Sequence, residues 1–377
     1  MLGLLLPPEV IVPVHYWTMF ALCSMTALHL INRAEDRVLT LSKVDLPMAL
    51  VLSLFAGFIC IQIIERGMIS QALESDVKSY VNAYLTSGSM LVPIDWNEEW
   101  GWTWLMNVSN KLGLSVSAFF VLVQTLYTGC MLFVCRSLMK GKEWISMLFF
   151  IDAFLFIGGG SNGIRSGLAL SLVLLAIALL ERATLWKVVA MLLLTSAVSI
   201  HRSAWLPVVA VLFSWTTKLK PRYAMAFWLS SIIISLVAGD AVENFFIGLG
   251  FDDRLESYIK GQDDDIMQRF SYMGFRWDFL LYSAMPILFV WYLTVKRNFQ
   301  DKMYNLIANT YILSNAFWVM VIRASFSNRF ASLSWFLYPL LFAYPLLRFK
   351  IWEDQDRKVG LILLAYASFT FLMYLRG

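Results

Sequence analysis

The chain is short of charge. Only 15% of its 377 residues are Asp, Glu, Lys or Arg, where a soluble domain carries about a quarter. Hydrophobic residues make up 59%, and the mean hydropathy is +0.66. That balance excludes an ordinary soluble domain and describes a polytopic membrane protein. Cysteine is scarce as well. Cys23, Cys60, Cys130 and Cys135 all lie inside apolar runs, with no C-x-x-C pair. Neither a zinc site nor a disulfide framework is expected, only small buried thiols. The opening residues MLGLLLPPEVIV lack a basic stretch and an A-x-A cleavage site, so no removable signal peptide is expected. There is no internal repeat, low-complexity tract or interdomain linker, and a single integral membrane domain over 1–377 is expected. The acidic run at 263–265 has no His or Glu at ligand spacing and reads as a solvated loop. No metal, no cofactor and no nucleic-acid partner are expected.

What the chain does have is a string of apolar runs. A helix needs about 20 apolar residues to cross a bilayer. Twelve candidates lie at 13–32, 46–64, 114–135, 144–160, 163–180, 185–200, 203–217, 223–239, 278–295, 303–322, 330–347 and 359–375. The three between 163 and 217 are short enough for one of them to be re-entrant. Two longer polar segments, 65–113 and 240–277, interrupt the series. Alternate loops hold 18 of the 30 basic residues: Arg33, Arg37, Lys43; Arg136, Lys140, Lys142; Arg182, Lys187; Lys218, Lys220, Arg222; Lys296, Arg297, Lys302; Arg348, Lys350, Arg357, Lys358. The positive-inside rule makes those loops cytoplasmic. Both termini and both long polar segments then face outward.

The basic residues left on the outer face are informative. Its short loops carry Arg165, Arg202, Arg323 and Arg329, Arg276 stands at the end of the second long segment, and no lysine joins these five. A planar guanidinium suits bidentate phosphate binding better than an ammonium does. Snorkelling to lipid headgroups explains a single arginine, but five on the face that should avoid them point to an anionic ligand, and the five are expected to line one outward cavity. The stretch GGGSNGIRSGLALSLVLLAIALL at 158–180 fits that expectation. Ser161 and Asn162 are good N-cap types, glycine lets a ligand approach the backbone, and free amides at a helix start attract phosphate. A flexible glycine turn between two spans is the plainer alternative. The Gly-Lys-Ser/Thr of a P-loop is absent.

Acids, tyrosines and one histidine complete the set. Asp76, Tyr80 and Tyr84 fall at i, i+4 and i+8, one stripe of a helix, where a carboxylate beside aromatic rings makes a sugar-binding surface. An interfacial aromatic belt explains tyrosines equally well. Glu98 and Glu99 stand among Trp96, Trp100, Trp102 and Trp104, in what reads as an amphipathic helix lying in the interface. His201 is the histidine placed beside the arginines, and a neutral imidazole can take a proton from a hydroxyl. His15 and His29 lie in the first span with packing or hydrogen-bonding roles. Asp278, two residues after Arg276, is placed to orient or neutralise it. Asp152 is a carboxylate inside the fourth span, which by default marks function.

In order along the chain stand D-x-x-x-Y-x-x-x-Y, E-x-G-W, N-G-I-R-x-x-L-A, H-R-S-A, R-W-D-F and N-R-F-A, from Asp76 to Ala331. This series resembles the EpsG/Wzy-like polysaccharide polymerases, polytopic inner-membrane proteins related to the large GT-C glycosyltransferases. The resemblance implies a GT-C-like all-α fold and two longer periplasmic loops. It implies transfer of a growing glycan from undecaprenyl diphosphate onto a new lipid-linked repeat unit, at the periplasmic face of a bacterial inner membrane. Its implied partners are the lipid-linked donor and acceptor and membrane lipids, with a chain-length regulator and a flippase as candidates. His201, Arg165, Arg276 and Asp278 take the catalytic positions; Asp76, Tyr80, Tyr84, Glu99, Asn162, Arg202, Arg323 and Arg329 take substrate contacts. The chain departs from the pattern in Arg202 after the histidine and in its tryptophan-rich acidic segment, which bear on substrate identity rather than reaction class. An O-antigen ligase or other lipid-carrier glycosyltransferase shares the donor chemistry. A transporter or flippase for the lipid-linked sugar should show inverted repeats or paired broken helices, and no repeat is visible.

Overall fold

The computed structural model describes residues 3–33, 43–69, 76–87, 98–248, 275–323 and 327–376. Among them the regular structure is helical throughout, as the composition requires of a chain that must satisfy its backbone inside lipid. In chain order the helices are α1 (Ile11–Ile31), α2 (Asp45–Ile69), α3 (Asp76–Ser87), α4 (Trp100–Lys111), α5 (Val116–Leu138), α6 (Glu143–Ile151), α7 (Phe156–Ser161) and α8 (Ile164–Leu180). There follow α9 (Thr184–Ile200), α10 (Trp205–Thr217), α11 (Pro221–Gly248), α12 (Trp277–Trp291), α13 (Lys302–Met320), α14 (Ser327–Trp335), α15 (Tyr338–Arg348) and α16 (Gln355–Arg376). The starts of α5 and α13 are legible in the sequence. Ser115 and Asp301 accept hydrogen bonds from the amides of Ala118 (3.2 Å) and Tyr304 (2.7 Å), as N-caps do.

Among the described residues, seven stretches are long and apolar enough to cross a membrane: Ile11–Ile31, Asp45–Ile69, Val116–Leu138, Pro221–Gly239, Trp277–Lys296, Arg329–Arg348 and Gln355–Arg376. The protein is thus a polytopic membrane protein, all-helical among the described residues. Each remaining run of the expected twelve differs for a visible reason. The helices α8 and α9 are apolar but only 17 residues each, and α10 has 13. The run at 144–160 is split into α6 and α7, with Asp152 capping the end of α6. Asp152 is buried there, and one of its carboxylate oxygens has no hydrogen-bond partner. In α13, Asn309, Thr310, Ser314 and Asn315 dilute the apolar character while lying fully buried.

The chain forms two compact units, Met1–His201 with Phe342–Gly377, and Arg202–Leu341. In the first, α1 packs against α16 so closely that a side chain at Gly360 would meet the Ala27 carbonyl at 2.7 Å. The helices α5, α8 and α9 pack in succession, and all four cysteines are buried as free thiols. Gln62 on α2 ties down the segment before α1 by accepting from the Leu5 amide at 2.7 Å. The second unit is organised around Asn315 on α13. Its amide oxygen accepts from the Trp228 indole at 2.7 Å, and its NH2 donates to Ser283 (3.1 Å) and Ser334 (2.9 Å). The Trp335 indole donates to Ser283 at 2.7 Å. A buried polar network satisfied in this way specifies one packing of its helices.

Candidate functional site

Arg165 stands in the first turn of α8, where the helix dipole disfavours a cation. Its compensation comes from far along the chain. Glu99 is the residue before α4 and makes no side-chain capping bond to that helix. Its carboxylate instead takes an ion pair from Arg165 through Oε2 and a contact from His201 Nδ1, at 2.8 Å, through Oε1. The Arg165 guanidinium also lies over the Tyr80 ring, 5.2 Å from its centre, with Nε 3.4 Å from the phenol oxygen. All four residues belong to the first unit. The side chains of Arg165, Glu99 and His201 are 23%, 15% and 13% exposed, so the cluster is largely desolvated yet reachable.

The chemistry of this arrangement follows from proton bookkeeping. A carboxylate can only accept, so the Nδ1–H of His201 donates to it. When the imidazole is neutral, its proton then sits on Nδ1 and Nε2 keeps a lone pair. The carboxylate charge is balanced by Arg165. In acyl-transfer enzymes an acid orients a histidine by the same kind of contact.

Each structural element delivers its residue for a local reason. The extended backbone of His201 ends α9. The glycines at 158–160 do not form a ligand-binding loop; they lie within or at the turn-rich end of α7. Any side chain at Gly167 would collide with the Gly159 backbone, so these glycines let α7 and α8 meet backbone to backbone. Ser161 donates to the Ile157 carbonyl and Asn162 ends α7, while Gly163 is the residue before α8. The expected capping of α8 by Ser161 or Asn162 is therefore corrected. Asn162 turns the chain between two helices rather than opening one.

The tyrosine stripe forms as expected on α3 but faces inward. Tyr80 and Tyr84 are 7% and 2% exposed. Tyr84 donates to the Leu114 carbonyl at 2.7 Å and packs against Phe119, and Tyr80 packs edge-on against Trp102. Tyr80 borders the cluster through Arg165, while Tyr84 is buried among α4 and α5, because the apolar side of this short helix is turned to them. The side chain of Asp76 lies outside the described residues, as do Trp96 and the acidic run at 263–265. Trp102 is buried and Trp104 is half exposed, so α4 is amphipathic, with its inner face against α9.

Arg202, Arg276, Arg323 and Arg329 belong to the second unit. Arg276 forks onto Asp278, Nε to Oδ1 at 2.9 Å and Nη2 to Oδ2 at 2.8 Å, and its guanidinium covers the Phe279 ring at 3.7 Å. Asp278 thus orients Arg276 as its position suggested. The Arg323 side chain lies along Gly239 of α11. Arg202 and Arg329 are exposed. Of the other histidines, His15 is buried and stacks on Phe156, and His29 accepts from Arg33 at 3.1 Å, packing and hydrogen-bonding roles respectively. Sequence reasoning named Glu99 as a substrate contact and missed its pairing with His201. The 102 residues between them leave no local signal.

A family model described as the EpsG family matches residues 58–376. No curated protein and no solved structure matches the chain.

Proposed function

The chain belongs to the EpsG family, which is associated in general with polysaccharide polymerisation, and from that premise we propose that it joins undecaprenyl-diphosphate-linked repeat units at the periplasmic face of a bacterial inner membrane. The observation that carries this reading is the single carboxylate of Glu99 shared between His201 and Arg165. In the proposed reaction His201 Nε2 takes the proton of an acceptor sugar hydroxyl. The freed oxygen bonds to the anomeric carbon of the donor as the bond from that carbon to the diphosphate breaks. Undecaprenyl diphosphate leaves with the bonding electron pair, and Arg165 meets the charge that grows on it. A diphosphate is already a good leaving group, so the step proceeds without a metal. Asp76 and the outward arginines of the second unit are assigned to sugar and phosphate groups. The same proposal takes the chain as a twelve-span, GT-C-like protein with both termini outside, the shorter apolar helices completing the seven long spans.

The test is incubation of purified protein with lipid-linked repeat units. A ladder of products differing by one repeat is expected from the wild type. His201→Gln keeps a hydrogen-bonding side chain but no effective base, so it should bind substrate and make little polymer, a loss of about a hundred- to ten-thousand-fold. Absence of any ladder from active wild-type membranes, with transfer of a single unit to another acceptor instead, would replace the polymerase by a ligase.

A further inference from the structure

We propose that Gly101 is a positioning residue that sets the distance between Glu99 and His201, an inference that rests on the catalytic reading of that pair. Helices α4 and α9 meet at one tight point, Gly101 against Ser199. A Cβ placed on Gly101 would stand 2.8 Å from the Ser199 Cβ and 3.0 Å from its carbonyl carbon, besides colliding with its hydroxyl. The first two atoms belong to the framework of α9 and cannot swing aside. The Ser199 hydroxyl is itself turned back onto the Ser196 carbonyl at 2.8 Å. Any side chain at residue 101 therefore pushes the start of α4 away from the end of α9.

The consequence follows from register. Glu99 lies two residues before Gly101, and His201 two residues after Ser199, so the contact and the pair share one crossing. Glu99 is not held by a capping bond to α4, and the place where α4 touches α9 decides where its carboxylate sits. The Glu99–His201 contact is 2.8 Å, and a hydrogen bond weakens steeply once it is stretched past about 3.2 Å. A glycine in the first turn of a helix is otherwise a cost in backbone entropy. Here it permits the close approach that brings an acid and a histidine together.

The experiment is a double-mutant cycle read in two ways. Gly101→Ala should lower kcat for ladder formation by about ten- to a hundredfold, as sub-ångström misplacement of reacting groups does. KM for the lipid-linked acceptor and membrane abundance should hardly change. In a Glu99→Gln background the same substitution should cost less than about threefold, since it acts only through Glu99. Ser199→Gly added to Gly101→Ala removes the two side-chain atoms in the way and should restore part of the rate. Independently of activity, 15N-histidine spectra should show the His201 signal shifted by Gly101→Ala, with those of His15 and His29 unmoved. If Gly101→Ala does not accumulate, Ser199→Val crowds the same contact from the other helix and should give the same pattern. Losses that multiply in the double variant, or an unchanged His201 signal, overturn the proposal. A shifted His201 signal with polymerisation intact in Glu99→Gln and His201→Gln would keep the positioning role and sink the catalytic reading.

Discussion

Glu99→Gln removes one charge and almost no volume, and its effect can be worked from the contacts of the two carboxylate oxygens. In the wild type, Oε1 accepts from His201 and Oε2 from Arg165. An amide has one acceptor oxygen and one NH2 donor. Pointing the oxygen at His201 sets the NH2 against the Arg165 guanidinium, donor to donor. Pointing the oxygen at Arg165 sets the NH2 against His201, which must then accept at Nδ1 and carry its proton on Nε2, where the base is needed. Either orientation damages the site, the first by releasing Arg165 and the second by imposing the wrong tautomer. Loss of a general base costs about a hundred- to ten-thousand-fold, equivalent to about 3–5 kcal/mol of barrier. The assay is initial rate of ladder formation by purified protein over a range of acceptor concentrations. The fall should appear in kcat at normal membrane abundance. A variant that polymerises within about threefold of wild type would refute the argument, because no neutral amide satisfies both partners.

Three further outcomes are expected. Arg165→Lys keeps the charge but loses the planar fork that addresses Glu99 and a diphosphate, so activity should fall by about tenfold or more with abundance unchanged; wild-type polymer from this variant would remove the diphosphate role. Polymerisation should survive EDTA, and a loss restored specifically by a divalent ion would return the aspartates at 263–265 to consideration as a metal site. Cysteines introduced at residues 140, 220 and 350 should label only from the cytoplasm, and periplasmic labelling at any of them would break the proposed topology.

The membrane class and the helical fold were legible in the sequence because they depend on sums. Hydrophobicity adds residue by residue, and a backbone in lipid has few ways to satisfy its hydrogen bonds. The motif order from Asp76 to Ala331 likewise pointed to the family that matches residues 58–376. His201 and Arg165 were singled out by residue type and by the cost of placing them where they are. The pairing of Arg276 with Asp278 could be anticipated because two residues separate them.

Tertiary structure decided the rest. Local spacing put Tyr80 and Tyr84 on one stripe, but only the packing of α3 against α4 and α5 showed that the stripe faces inward. The glycine run looked like a ligand loop until the approach of Gly159 to Gly167 explained it as a helix contact. Glu99 changed most, from a substrate contact to the acid shared by Arg165, 66 residues away, and His201, 102 residues away. A sequence specifies which face of a helix is apolar. It does not display the rotation and crossing point of one helix on another, and those alone determine which polar side chains meet.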